Sequence, residues 1–272
     1  MANPRPVVIL RGGGDVATGV AARLHRCGFA VVVLEIDRPL AVRRLVALAE
    51  AIYADEVEVE GMKGRKVGRV EEIAEAHAAG YVPVMVDPLA ECREALAPVA
   101  LVDARMRKVA PEIGMQAAPL VIGLGPGFEA GVNCHAVVET QRGHHMGRVF
   151  WKGSATPDTR VPEAFEGVDV GRVLRAPAEG VLHAEAGLGD VVRRGQILAR
   201  VESTEVRAPF DGALRGLIHD GLPVWRGDKI GDLDPRKSPA YCREISDKSL
   251  AVGGGVLEAL LSKAEIRRRL GD

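Results

Sequence analysis

The chain has 272 residues, 47% of them apolar and 27% charged, a size comfortable for two domains with cores that need no staples. A formal net charge of −1 and an aromatic content of only 4% exclude the basic field and the stacking platforms on which nucleic-acid and anionic-membrane binding rest. Four widely spaced cysteines with no C-x-x-C pair argue against a disulfide or zinc framework. The first apolar run, Pro6–Leu10, is too short for a signal core or a membrane span, so a cytoplasmic protein with no membrane partner is expected.

Val7–Leu10 has strand length and breaks at Arg11-Gly12-Gly13-Gly14-Asp15, ahead of a helical pattern running through Leu24. Within that turn Gly12-x-Gly14-x-x-Ala17 matches a dinucleotide fingerprint: Gly12 permits the turn, Gly14 admits a phosphate, and Ala17 allows close helix packing. Asp15 shares the turn, and the helix N-terminus faces the anion. A second apolar run, Ala30–Leu34, ends at Glu35 and Asp37, about 20 residues beyond the glycines, where a ribose-binding carboxylate belongs; Glu35 is the better placed. An amphipathic stretch at 40–53, a strand at 57–59, a helix at 71–79, a strand at 82–86, helical turns at 91–96 and strands at 99–102 and 119–122 continue the alternation. The pattern predicts a Rossmann-like, mostly parallel sheet with helices on both faces. Ligands of such sheets bind beyond the strands' C-terminal ends, where Asp87 and Asp103 join the Gly turn, although both also read as caps.

Gly123-Leu124-Gly125-Pro126-Gly127-Phe128 is a second Gly-rich turn, with Gly125 a candidate contact to the same ligand. The next stretch, NCHAVVETQRGHHMGRVFWKGSA, reads as a hairpin and concentrates Asn133, Cys134, His135, Glu139, Thr140, Arg142, His144 and His145. Cys134, His135 and His144 are the candidate catalytic groups, and Arg142 a candidate ligand-binding residue. Neighbouring residues on a strand face opposite ways, so Cys134 and His135 do not make a metal pair and no metal site is assigned.

The C-terminal half contains an internal echo. Arg175-Ala176-Pro177 returns as Arg207-Ala208-Pro209, Gly180-x-Leu182 as Gly212-x-Leu214, and Gly189-x-x-Val192-x-Arg194-Gly195 as Gly221-x-x-Val224-x-Arg226-Gly227, all at an offset of 32. Two such halves, too small to bury an apolar face alone, are expected to close on each other as a biotinyl/lipoyl-like β barrel-sandwich hybrid. The joint Val201–Val206 has no lysine, which rules out covalent biotin or lipoate there and leaves a docking module. Gly253-Gly254-Gly255 reads as a flexible linkage ahead of a helical run at 256–261. The expected organisation is a nucleotide-binding domain at 1–130, a hairpin connection at 131–170, the sandwich at 171–236 and a helical tail at 237–272.

Taken together, RGGGDVATG, GLGPGFEAGVNCHAVVETQRGHHMGRV, the repeated RAP and ISDKSLAVGGGVLEALL resemble the YqeB-type proteins, an accessory family associated with selenium-dependent molybdenum hydroxylases, over nearly the whole chain. A more distant similarity of Gly12–Ala17 to the nucleotide-binding part of XdhC-type molybdenum-enzyme chaperones points the same way. The resemblance implies a role in maturing, or supplying cofactor to, a molybdenum hydroxylase client; the residue reading adds a nucleotide or dinucleotide, NAD or a pterin dinucleotide, held by Gly12, Gly14, Asp15, Ala17, Glu35, Gly125 and Arg142. The resemblance supplies no catalytic residues. The alternative from the fingerprint is an NAD-dependent oxidoreductase in which Cys134, His135 or His144 acts near the nicotinamide.

Overall fold

The run Val7–Arg11 forms strand β1, and Gly12, at φ +98°, turns the chain into helix α1, Asp15–Arg26. The computed structural model describes residues 5–157 and 171–271. The chain divides into two units, one taking Met1–Pro39, Leu48–Thr159 and Ile245–Asp272, the other Leu40–Ala47 and Arg160–Glu244. Among the described residues no helix is long and apolar enough to cross a membrane.

In the first unit β1 and α1 are followed by β2 (Ala30–Glu35), α2 (Ala51–Ala54), β3 (Glu56–Val59), β4 (Met62–Val67), α3 (Glu72–Ala78), β5 (Tyr81–Val86), α4 (Arg93–Leu96), β6 (Ala100–Asp103) and β7 (Val121–Leu124). Then come β8 (Glu129–Ala130), β9 (Ala136–Val138), β10 (Val149–Phe150), β11 (Gly153–Ser154), α5 (Asp247–Leu261) and α6 (Ala264–Arg269). Nine strands make one mixed sheet in the order β10-β9-β7-β6-β1-β2-β5-β4-β3. The pairings from β9 to β4 are parallel, and both edges are antiparallel hairpins, β9–β10 and β3–β4. Central strands such as β1 and β2 are buried along nearly their whole length, as strands covered on both faces must be.

This mixed sheet, with the separate antiparallel sheets of the second unit, corrects the expected class of a Rossmann-like mostly parallel sheet followed by a biotinyl/lipoyl-like barrel-sandwich hybrid. The pattern reading missed β4, whose sequence MKGRKV alternates buried and exposed positions instead of forming an apolar run. Although β4 precedes β5 in the chain, it pairs outside it, at the antiparallel edge. The amphipathic stretch at 40–53 is likewise no single helix: it breaks into turns at Arg44–Val46 and Leu48–Glu50 and the four-residue α2, and it changes units at Ala47.

The three consecutive glycines of the tail are not a linkage. They lie inside α5, capped by the Ser246 side chain on the Ser249 N–H at 3.1 Å. Two of them permit close backbone contact. A Cβ on Gly253 would meet the Gly19 carbonyl of α1 at 2.7 Å, and one on Gly255 would meet the Gly147 carbonyl at 2.2 Å. From α1 the fit is mutual, since a Cβ on Gly19 would lie 2.5 Å from Ser249 Cβ.

The second unit holds β12 (Val173–Arg175), β13 (Gly180–Ala184), β14 (Val191–Val192), β15 (Ile197–Val201), β16 (Thr204–Arg207), β17 (Gly212–Leu217), β18 (Pro223–Val224) and β19 (Lys229–Asp234). They form two four-stranded antiparallel sheets, β12-β19-β17-β14 and β16-β15-β13-β18. A shift of +32 carries β12 and β14 onto β16 and β18, and a shift of −32 carries β17 and β19 onto β13 and β15, so each sheet draws strands from both halves of the repeat. The echo established that two copies exist, but not how their sheets close. The bonds between halves repeat as well. Arg175 Nη1 donates to the Gly227 carbonyl at 2.9 Å and Arg207 Nη1 to that of Gly195 at 2.7 Å. Gly227 N–H donates to Ala176 and Gly195 N–H to Ala208, both at 2.8 Å. The expected hairpin connection is described only to residue 157; its remainder lies outside the described residues.

Identical substitutions one residue apart in α5 are expected to act with opposite sign. Gly255→Ala drives a methyl into the Gly147 backbone and should cost about 1–3 kcal/mol, as overpacking does. Gly254 has nothing within 4 Å of its would-be Cβ, so Gly254→Ala should stabilise by about 0.5–1 kcal/mol through helix propensity. Urea unfolding of the two variants beside the parent chain tests both signs.

Candidate functional site

The glycine turn after β1 is shaped by three different constraints. Gly12 needs its positive φ and sits against Arg105, 3.3 Å from where its Cβ would be. Gly13 is the crowded one, because a Cβ there would meet Ala49 N at 2.8 Å and Val33 Cγ1 at 2.9 Å. Gly14, the N-cap of α1, has open space where its side chain would be. Glu35 at the end of β2 takes the Gly13 N–H on Oε1 at 2.7 Å and the Ile36 N–H on Oε2 at 3.0 Å. Burial pushes its carboxyl above the usual range against the pull of those two donors. Thr18, one turn into α1, donates to the Gly14 carbonyl at 2.9 Å and accepts the Leu48 N–H at 2.9 Å, pinning the turn from beneath. Ala17 is buried, and Asp15 opens the helix with its Oδ1 on the Val16 N–H at 2.9 Å.

Beside the turn, at the same C-terminal edge of the sheet, lies an ion cluster that the sequence pattern did not signal. Arg11, only 1% exposed, donates to Asp103 Oδ2 at 3.1 Å and to the Pro88 carbonyl at 2.7 Å. Arg105 grips Asp103 through two donors, at 2.9 and 2.6 Å, and reaches Glu112 at 2.7 Å. That bond helps to hold the Glu112 carboxyl down at about 2. Asp103 is thus the hub of a network, whereas Asp87 is a cap that accepts the N–H groups of Glu91 and Cys92 at 2.9 Å each.

Gly125 also stands at this edge, where a Cβ would lie 2.4 Å from Thr140 Oγ1, so its role is to admit Thr140. The next residue back, Glu139, is 1% exposed and accepts four bonds at 2.7–2.8 Å, from the N–H groups of Thr140, Gln141 and Thr156 and the Thr156 hydroxyl. Burial raises its pKa, but the donors of Gln141, Thr156 and Thr140 outweigh that and hold the carboxyl below its usual range. Arg142 forms a two-pronged ion pair with Asp247, the first residue of α5. His144 and His145 are exposed and meet edge to face, ring centres 5.0 Å apart.

Cys134 and His135 lie elsewhere. They precede β9, which runs parallel to β7, so they sit at the N-terminal edge of the sheet, roughly 15 Å of extended chain from Thr140. The structure therefore gathers Gly12, Gly14, Asp15, Glu35 and Gly125 at one edge, ties Arg142 to α5, and separates Cys134 and His135 from all of them. Cys134 is 0% exposed, and burial pushes its thiol up to about 11, the reverse of what a nucleophile needs. Among the described residues no group of three or more His, Cys, Asp or Glu is placed to hold a metal ion.

These environments have two measurable outcomes. Iodoacetamide at pH 7.5 should modify the exposed Cys27 alone in the folded protein, with Cys92, pushed up by burial to about 12, and Cys134 reacting only after denaturation; peptide mass mapping reads this directly. Glu139→Gln places an amide among donors that need an acceptor and should cost about 2–3 kcal/mol at pH 7. Because the Glu139 carboxyl lies below its ordinary 4.5, its contribution is complete above that pH and fades as the pH falls through the depressed value. The gap between parent and variant in denaturant titrations should close on acidification.

Comparison with known proteins adds a sequence relationship. No protein-family model matches the chain. It is 45% identical over 257 residues, 94% of its length, to "Uncharacterized protein YqeB" of Escherichia coli (strain K12), and it spans 47% of that protein. Among solved structures it is similar to an aspartoacylase family protein of Mesorhizobium loti, at 12% identity, TM-score 0.26 and 84% of each chain covered. It is also similar to a succinylglutamate desuccinylase/aspartoacylase of Rhodobacter sphaeroides, at 15% identity, TM-score 0.27 and 85% and 86% covered. Likenesses this distant say nothing about the chemistry here. The chain is a YqeB-type protein across the region that matches, about half the length of that relative.

Proposed function

We propose that this protein is an accessory factor for a molybdenum hydroxylase and that its first unit binds a nucleotide, such as the nucleotide part of a pterin dinucleotide, at the Gly12–Asp15 turn. The observation that carries the reading is the pairing of Glu35 with Gly13 beside an open Gly14. A carboxylate at the end of the strand next to β1, fixed on the turn's own N–H, is placed to accept from a ribose hydroxyl. The space at Gly14 lies at the N-terminus of a 12-residue helix, where phosphate is favoured by backbone N–H groups and the helix dipole. The client assignment rests on the motifs shared with the YqeB type. In this reading the second unit provides the docking surface, with Trp225, 66% exposed on a loop after β18, as an anchor of the kind that interfaces favour. Neither Cys134 nor His135 takes part.

Gly14→Glu separates folding from binding, because the new side chain enters open space yet puts a carboxylate where a phosphate would lie. NAD, CDP and a cytidine pterin dinucleotide are the probes. At about 100-fold excess over Kd, a nucleotide that binds should stabilise the parent by about 2.7 kcal/mol. Gly14→Glu should melt as the unliganded parent does and show no shift. Absence of any shift in the parent with all three probes sinks the nucleotide reading.

A further inference from the structure

A second cleft, about 730 Å³ in volume, opens at the edge of the sheet opposite the glycine turn, at the N-terminal ends of β6, β7 and β9. That volume is within the range of small-molecule sites, roughly 300–1,000 Å³. Val99, Leu120 and Ile266 give it an apolar wall, and all three are buried. Its polar groups come from four separate stretches: Arg93 from α4, Gln116 from the turn at Met115–Ala117, His135 ahead of β9, and Glu265 and Arg269 from α6. Among the lining side chains two guanidiniums stand against one carboxylate, an excess of one positive charge, and outside the lining the exposed Glu94 lies 3.7 Å from Arg93 Nη2. Arg93 is held in place by donating Nη1 to the Ala90 carbonyl at 2.8 Å. His135 is oriented as well: its Nδ1 accepts the Val121 N–H at 2.9 Å, so the neutral ring carries its proton on Nε2, the nitrogen left to donate. Burial, with Lys263 nearby, keeps the pKa of that ring below its ordinary value and the ring neutral at pH 7.

We infer that this cleft is a second binding site, for a small organic monoanion with an apolar body and one carboxylate, in which Arg93 and Arg269 face the carboxylate while His135 Nε2–H and Gln116 donate to a further polar group. The site explains why His135 is oriented by a backbone donor although it lies far from the glycine turn. It requires no nucleotide and stands independently of the function proposed above. α6 belongs to it as much as the sheet does, because Ile266 packs while Glu265 and Arg269 border the opening.

The test uses the full chain and 2-naphthoate, with the isosteric neutral 2-naphthamide as control, followed by fluorescence and calorimetry. Naphthoate should bind with 1:1 stoichiometry and the amide about tenfold more weakly or worse, the margin expected for a charge-assisted bond. Arg269→Gln, on an exposed residue, should weaken naphthoate about tenfold without changing the melting temperature. Ala118→Trp should abolish binding by filling the cleft, and Gly14→Glu should leave it unchanged. The proposal is overturned if naphthoate does not bind, if acid and amide bind equally, or if neither Arg269→Gln nor Ala118→Trp alters the titration.

Discussion

The first unit depends on how closely α5 lies against α1. Helix axes normally stay 8–10 Å apart because side chains intervene, and glycines on both helices remove that spacer at the crossing. Gly19 on α1 receives Ser249, and Gly253 on α5 receives the Gly19 carbonyl. This seat sets the position of everything at either end of α5. At its start Asp247 meets Arg142 and fixes the loop that leaves β9, and past its middle Gly255 lies on the backbone of Gly147 in the same loop. At its finish the chain turns into α6, which walls the second cleft. A larger residue at Gly253 or Gly255 would therefore disturb two sites that share no residue.

Strand direction decides which chemistry can cooperate. From β9 to β4 all the pairs are parallel, so residues just after a strand gather at one edge of the sheet and residues just before a strand gather at the other. Gly12, Glu35, Asp103, Gly125 and Glu139 end or succeed strands and share an edge; Val99, Leu120 and His135 all precede strands and share the other. The stretch from Asn133 to His145 looks in the sequence like one dense constellation, yet β9 runs through its middle and divides it. Glu139 then serves the first edge as a buried acceptor for four donors, whereas His135 serves the second.

Much of the first edge was legible because its signals are local. A strand-length apolar run, glycines, a helical pattern and an acid about 20 residues on placed Gly12, Gly14 and Glu35 correctly with respect to their strands. The features that the pattern left out are non-local: that Gly13 is the crowded glycine is set by Ala49 and Val33, and the Arg11–Asp103–Arg105–Glu112 network joins residues up to about a hundred positions apart. The tail glycines were misread for the same reason. Consecutive glycines have low helix propensity, and only the backbones of α1 and the β9–β10 loop explain why the helix keeps Gly253 and Gly255. β4 escaped the pattern because Lys63, Arg65 and Lys66 interrupt its sequence and leave only Met62, Gly64 and Val67 buried, so no apolar run marks it.

The repeat shows how identity between copies can report on contacts instead of chemistry. Of its nine identical pairs, five meet across the halves through backbone or guanidinium bonds. Arg175 and Arg207 hold Gly227 and Gly195; Ala176 and Ala208 accept the N–H groups of the same two glycines; Gly189 and Gly221 donate to Leu214 and Leu182 at 2.8 Å. Each copy therefore completes the other, and an isolated half would leave these groups without partners while exposing the apolar face that both sheets share. Such a unit has no reason to preserve a reactive residue at its joint, and in place of a lysine the joint carries Glu202, at φ +51°, which fastens the turn by accepting the Val181 N–H at 2.8 Å. The residues common to the two copies are those by which the two sheets recognise each other.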